Sequence, residues 1–268
     1  MEPVTATSPV IEGPGTNEAL WQRWPQLHAL PEIGLARLAP AGLRVVVVAP
    51  HPDDEVLAWG GLLAMLAARG DQPLVVGVTD GDASHPDSPC WSPDKLAEFR
   101  HGEALTGLDR LGIDPPNYLR LSLPDGHVHR HQARLVKSLL EILRPDDVVL
   151  STWATDGHPD HDAAARAVSQ ACAAIECRHL QSPVWMWHWA VPGDSRVPWA
   201  QMRQLRLTPD AQRRKRLALL AHGSQLTAQD SGAPPVLSPM AVRRMLRPSE
   251  YLFIPPQSRP AGVLEKRA

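Results

Sequence analysis

The stretch RVVVVAP (44 to 50) constrains what this chain can become more than any other. Four consecutive valines leave no polar face to turn toward water. The run therefore reads as a buried strand of the kind found in parallel sheets with helices on both faces. Three further runs share the pattern: PLVVGVT (73 to 79), NYLRLSL (117 to 123) and DVVLST (147 to 152), each short and bounded by Pro, Gly or Asp. Between them the spacing of apolar residues predicts helices over 54–69, 93–111, 132–143 and 160–177. Strand, helix, strand at this spacing implies right-handed crossovers. The expected fold is α/β, a Rossmann-like three-layer α/β/α sandwich with a mostly parallel sheet.

At 268 residues the chain has room for one domain with extended ends. Residues 1–17 are rich in Pro, Thr, Ser and Gly and are expected to form a flexible leader. The folded domain is assigned to 18–256 and a C-terminal tail to 257–268. Trp21 and Trp24 are expected to pack on the body as an N-terminal cover. Past Pro183 the pattern suggests a strand at VWMWHWA, with Trp185, Trp187 and Trp189 on one face and Met186 and His188 on the other. It also suggests a basic helix over 209–222 with a charged solvent face, a helix over 239–246, and a late strand EYLFIP at the sheet edge.

Lys+Arg 27 against Asp+Glu 29 leaves a formal net charge of −2, so nothing in the balance draws the chain to phosphate backbones, and no nucleic-acid partner is expected. Cys90, Cys172 and Cys177 show no C-x-x-C pairing and read as reduced thiols. No run approaches the roughly 20 apolar residues of a transmembrane segment, and no signal peptide is legible. The expected location is cytoplasmic.

Ligands of an open parallel sheet bind beyond the carboxyl ends of its strands. The first strand is followed there by PHPDDE, with His51, Asp53, Asp54 and Glu55; the fourth is followed by DGHPDHD, 156 to 162. If the two strands are neighbours, the clusters share one crevice. Like charges crowded in such a place need a proton or a cation between them. His51 and Asp54, three positions apart at a turn into a helix, are aimed to ligate a divalent metal, with His161 as third ligand from across the crevice. Three protein ligands leave room for water, the arrangement of a catalytic site. Asp53 then faces the cleft as general base. His158 serves as proton donor or oxyanion partner, with Asp160 orienting it. Either cluster alone reads better as helix-start acids or an exposed turn; the pair at two strand ends, with His and Asp in each, favours metal.

PHPDDE followed by a helix with a Gly pair, together with the later GHPDH, resembles the PIG-L or LmbE-like deacetylases, zinc-dependent enzymes that remove acetyl from N-acetylglucosamine units. The resemblance runs from Arg44 to about Phe253 and includes TDGDASHP, LPDG, VWMWHW and HGSQ segments. It implies Zn2+ (Fe2+ or Co2+ also being admissible) on His51, Asp54 and His161, with Asp53 as base and His158 stabilising the tetrahedral intermediate beside Asp160. It also implies contacts from Arg100, within an R-x-x-E segment ending at Glu103, and from Asp125 to sugar hydroxyls of a small-molecule amino-sugar conjugate. Trp59, ahead of the Gly pair where many relatives carry a small residue, implies a differently shaped pocket near the metal.

Asp82, after the second strand, reads equally as a substrate-hydroxyl contact or an exposed turn acid. HVHRH (127 to 131) lacks a carboxylate or Cys at ligand spacing and reads as a solvated loop. Two other functions fit fewer of the residues: a non-haem Fe(II) oxygenase built on the same two histidines and one carboxylate, and a non-catalytic sugar-binding protein.

Overall fold

The computed structural model describes residues 11–254. Five parallel strands form the body of the sheet: β1 Val45–Ala49, β2 Leu74–Thr79, β3 Tyr118–Leu123, β4 Val148–Thr152 and β5 Arg178–Ser182. Two more, β6 Met202–Arg206 and β7 Ser249–Phe253, complete the order β3-β2-β1-β4-β5-β7-β6, with β7 antiparallel to both neighbours. The order reverses between β1 and β4, which pair directly from Val45↔Val148 to Val48↔Ser151. A crevice opens beyond their carboxyl ends for that reason.

The valine run accounts for both helical layers. Successive side chains of a strand point to opposite faces. Val45 and Val47 enter one core, packed against helix residues such as Leu62 and Leu66, while Val46 and Val48 enter the other beside Ala164 and Val168. Short N-terminal helices α1 Glu18–Arg23, α2 Pro25–His28 and α3 Leu35–Leu38 precede β1. The long layer helices are α4 Asp54–Arg69, α5 Pro93–Leu111, α6 Gln132–Ile142 and α7 Pro159–Ile175. Next come α8 Met186–Trp189, α9 Pro209–Leu219, α10 Gly223–Leu226 and α11 Pro239–Met245. Helices α4, α5 and α9 lie together on one face and α6 with α7 on the other, giving the three-layer sandwich.

Several expectations are corrected. VWMWHWA is not a strand. Its start turns into α8, because the Asp156 carboxylate collects the backbone N–H groups of Val184, Trp185 and Met186 at 2.9–3.0 Å. The three tryptophans do not share a face. Trp187 is buried edge-on to Trp21, Trp189 stacks near Trp153, and Trp185 reaches the crevice. The EYLFIP strand is not at the edge; β6 lies outside it. Lys215, assigned to a solvent face, is buried with its ammonium 2.6 Å from Glu250 and 2.8 Å from the Leu57 carbonyl. Glu250 in turn accepts the N–H groups of Gly61 and Leu62. Those are interior positions of α4, and a Cβ on Gly61 would meet Glu250 and Leu207, which is why glycine stands there.

Trp21 and Trp24 do form an N-terminal cover with Trp187 and Trp199. Of the expected leader, residues 1–10 lie outside the described residues, as does the tail at 257–268. Residues 12–16 are pinned to the body: Arg244 donates to the carbonyls of Pro14 and Thr16, and Thr16 bonds the backbone of His188 and Ala190.

Candidate metal centre

The β1 and β4 ends bring the two motifs together. His51 lies in the turn after β1 and Asp54 opens α4; His158 caps α7, whose first turn holds Asp160 and His161. The Asp54 carboxylate is the meeting point. Its Oδ2 lies 3.1 Å from His51 Nδ1 and 3.1 Å from His161 Nε2. Ring nitrogens of His51, His158 and His161 all lie within 4.8 Å of one another.

Each of the two expected histidine ligands has its other nitrogen held by carboxylate. His161 Nδ1 is 2.8 Å from Asp156 Oδ2, and His51 Nε2 lies 3.2 Å from Asp125 and 3.4 Å from Asp160. Carboxylates in that position fix tautomer and ring orientation at metal sites. His161 Nε2 is completely buried and, despite its distance to Asp54, is out of line for a hydrogen bond, so among the described residues it has no hydrogen-bond partner. A buried imidazole lone pair beside a buried carboxylate oxygen is a donor set short of one cation. The residues fit a divalent metal.

Charge around the centre follows from that deficit. Burial disfavours a proton on His161, yet Asp54 and Asp156 outweigh it and hold its pKa at about 9. His51 is likewise raised, against burial, by Asp125, Asp160 and Asp54. Burial would raise Asp54, but His161 and His51 keep it below the usual carboxylate range. Asp53 behaves oppositely. Burial above all, partly offset by Arg100, pushes it up to about 7. Its backbone sits at φ 150° and ψ −25°, a conformation that costs a non-glycine residue strain, and its N–H is tied to Glu55 Oε2 at 3.1 Å. Glu55, wholly buried, is itself pushed up to about 8 by burial and then by Asp53.

The cleft above the centre encloses about 200 Å³, and His51, Asp53, Asp54, Arg100, Asp125 and His158 line its polar side. Leu57, Trp185, Val236 and Leu237 form its apolar wall. His158 Nδ1 accepts the Asp160 N–H at 3.2 Å, and burial foremost lowers its pKa to about 3.

Asp160 orients His158 through its backbone N–H and not through its carboxylate. The Asp160 carboxylate instead takes the N–H groups of Gly126 and Val128 and faces His51, because the turn after β3 presses those amides onto it. Arg100 lines the cleft but is largely spent within the protein, on the Gly81 and Pro52 carbonyls and on Asp53 at 3.3 Å. Glu103 holds Ser224. Asp82 does not line the cleft, and Trp59 is packed in the core rather than beside the metal ligands. HVHRH forms a 3-10 turn whose buried Val128 donates to Asp160.

Sequence reasoning gave no role to Asp156, although it is fully buried and bonded to His161 and to three amides. Its partners at 184–186 lie too far along the chain for spacing to reveal them. His222, at the end of the expected basic helix, is also wholly buried, and among the described residues neither of its ring nitrogens is hydrogen-bonded.

Fold and centre together define a class: doubly wound α/β domains with an imidazole–carboxylate centre where the strand order reverses. Residues 46–172 match the family model PIG-L: GlcNAc-PI de-N-acetylase. The 1D-myo-inositol 2-acetamido-2-deoxy-alpha-D-glucopyranoside deacetylase of Mycolicibacterium gilvum is 32% identical over 57% of this chain and 60% of its own. The protein of that name from Nocardia farcinica is 26% identical over 81% of this chain and 92% of its own. The chain spans 60% and 55% of the first two curated relatives it matches. Among solved structures, the A40926 pseudoaglycone deacetylase superposes with a TM-score of 0.61 at 21% identity, covering 79% of this chain and 96% of that one. A conserved protein of Thermus thermophilus gives 0.57 at 23%, covering 84% and 99%. At these identities the likeness is one of fold.

Proposed function

We propose that this protein is a metal-dependent hydrolase that removes acetyl from an N-acetylated amino sugar. The observation that carries it is the unpartnered His161 Nε2 converging with His51 on the Asp54 carboxylate, beside a buried, strained Asp53 that faces the same cleft. The names borne by the relatives, deacetylases of an N-acetylglucosamine conjugate, support the reading. His51, Asp54 and His161 would hold the metal, for which zinc is proposed, with iron or cobalt admissible in the same donor set. Such an ion supplies Lewis acidity, polarising a carbonyl oxygen and lowering the pKa of water.

Asp53 takes the proton of the attacking water at a carboxylate oxygen. Burial raises its proton affinity above that of an ordinary carboxylate, which suits it to accept that proton and give it up again to the departing amine. Arg100 holds Asp53 in place from α5. With Nδ1 accepting a backbone N–H, neutral His158 carries its proton on Nε2 and acts as a hydrogen-bond donor to the developing oxyanion rather than as an acid. Asp160 and Asp125 keep His51 oriented; Asp125 also offers the cleft its contact to a sugar hydroxyl. Residues 18–256 act as one catalytic unit. Three free thiols favour a reducing compartment, and we place the protein in the cytoplasm. Among the described residues no helix is long and apolar enough to cross a membrane.

The test is acetate release from a panel of N-acetylglucosamine conjugates, with zinc and with chelator. Release that chelator abolishes and zinc restores is expected. Oxygen uptake by the Fe(II)-loaded protein with no acetate released from any conjugate would overturn the assignment.

A further inference from the structure

Among the described residues three other than glycine have a positive φ, Asp53, Ser122 and Glu176, and of these Asp53 alone lines the cleft. Its φ of 150° and ψ of −25° form a conformation that an L residue leaves when it can, so its surroundings must hold it there. Both peptide planes flanking its Cα are fixed. In the one that follows, the Asp53 carbonyl accepts the N–H groups of Val56 and Leu57 at 2.9 and 2.8 Å, in the first turn of α4. In the one that precedes, the Pro52 carbonyl accepts from Arg100 Nη2 at 2.9 Å and the Asp53 N–H donates to Glu55 Oε2 at 3.1 Å. Arg100 thus grips one end of the Pro52–Asp53 peptide and Glu55 the other.

Glu55 is wholly buried and does not line the cleft. Its Oε1 has no hydrogen-bond partner among the described residues, which lowers the stability of the fold. Buried acids are ordinarily surrounded by donors or cations, and an apolar side chain of similar volume often packs such a position as well or better. The contact with the Asp53 N–H is what this side chain contributes in return.

We propose that Glu55 is a positioning residue, holding the Asp53 N–H so that the base stays in its strained conformation with its carboxylate turned into the cleft. The proposal rests on the hydrolase reading above and adds a residue to that site. Without Glu55 the peptide turns, φ of Asp53 relaxes to negative values, and the carboxylate swings out of line with the attacking water. A displacement of about 1 Å at a reacting group costs about 10²-fold in rate. The proposed metal ligands stay, because His51 and Asp54 keep their own contacts with each other and with His161.

The test compares Glu55→Met, which fills the space without an acceptor, with Glu55→Gln, which keeps one. Zinc-loaded proteins are assayed by acetate release from the methyl glycoside of N-acetylglucosamine, by elemental analysis, and by thermal unfolding in chelator. Glu55→Met is expected to lose about 10- to 100-fold in kcat, with KM and zinc content as in the wild type and a melting temperature no lower. Glu55→Gln should keep most of the turnover. In an Asp53→Asn background, where the base is already gone, Glu55→Met should cost nothing further. If Glu55→Met does not fold, Glu55→Asp, one methylene too short to reach the Asp53 N–H, is read in its place.

A Glu55→Met protein as fast as the wild type overturns the proposal. So does a loss that Glu55→Gln shares, that accompanies loss of zinc or a lower melting temperature, or that persists undiminished beside Asp53→Asn, since each makes Glu55 a structural residue only. No acetate from the wild type with this or any other N-acetylglucosamine conjugate overturns the hydrolase alone. The crystal structure of Glu55→Met then decides: Asp53 at negative φ supports the hold assigned to Glu55, and an unmoved Asp53 refutes it.

Discussion

Replacing Asp156 with asparagine changes one atom and should damage both the stability of the protein and its hold on metal. The carboxylate accepts four hydrogen bonds. Oδ1 takes the Val184 and Met186 N–H groups, and Oδ2 takes the Trp185 N–H and the Nδ1 proton of His161, all at 2.8–3.0 Å. An amide has one accepting oxygen, so whichever way it turns, its NH2 meets two of those donors. Two buried donors left unpaired cost about 1–3 kcal/mol each. The sum, about 2–6 kcal/mol, is a large share of the about 5–15 kcal/mol that holds a domain folded. For a chain of this size the melting temperature should fall by about 5–20 °C. The loss of negative charge beside His161 also weakens that imidazole as a ligand, at about 10–100-fold in metal affinity. Thermal unfolding in chelator reads the first effect without the second, and zinc competition with a chromophoric chelator reads the second. Asp162→Asn is the control: half-buried and accepting a single 3.2 Å bond from Gly157, it should cost at most about 1 kcal/mol. An Asp156→Asn protein that melts with the wild type and binds zinc as tightly would refute the roles assigned to this carboxylate.

Asp53→Asn should retain metal on elemental analysis yet lose about 10²- to 10⁴-fold in turnover; a variant of near wild-type rate would show that another group is the base. Metal affinity should rise with pH. His161 has its pKa at about 9 in the metal-free fold, so below pH 9 a proton competes for the ligand nitrogen. Each unit of acidification should then weaken binding by about tenfold per proton displaced. Calorimetry in buffers of different ionisation enthalpy counts those protons, and binding that releases none at pH 7 contradicts the assignment. Lys215→Met strands the Glu250 charge in the core and should cost about 3–5 kcal/mol in denaturant unfolding, part of it recovered when Glu250→Gln is added.

The parts legible in the sequence are those where local pattern and tertiary burial agree. The valine run, with the neighbouring placement of β1 and β4, put His51, Asp53, Asp54, His158, Asp160 and His161 at one sheet edge, and the structure brings them together there. Strand β5 was not legible because RHLQS buries only Leu180 and Ser182; backbone pairing with β4 holds it. Strand β6, MRQLR, escapes notice for a similar reason, its arginines being at least partly exposed. The tryptophan segment misled because alternation is only a proxy for what a strand buries, and here Asp156 captures the amides a sheet would have used. Lys215 shows the same limit. Nothing local distinguishes a lysine facing solvent from one whose partner lies 35 positions away.

Glu250 sits almost at the end of the described chain, yet its carboxylate serves the helix that begins with Asp54. During synthesis, β1 and both motifs leave the ribosome long before Glu250 does. Until it arrives, the Gly61 and Leu62 amides and the Lys215 ammonium lack their shared counter-charge. Securing α4 thus waits on β7, and translation halted ahead of position 250 should release a chain with both histidine-carboxylate motifs present and that helix unsecured.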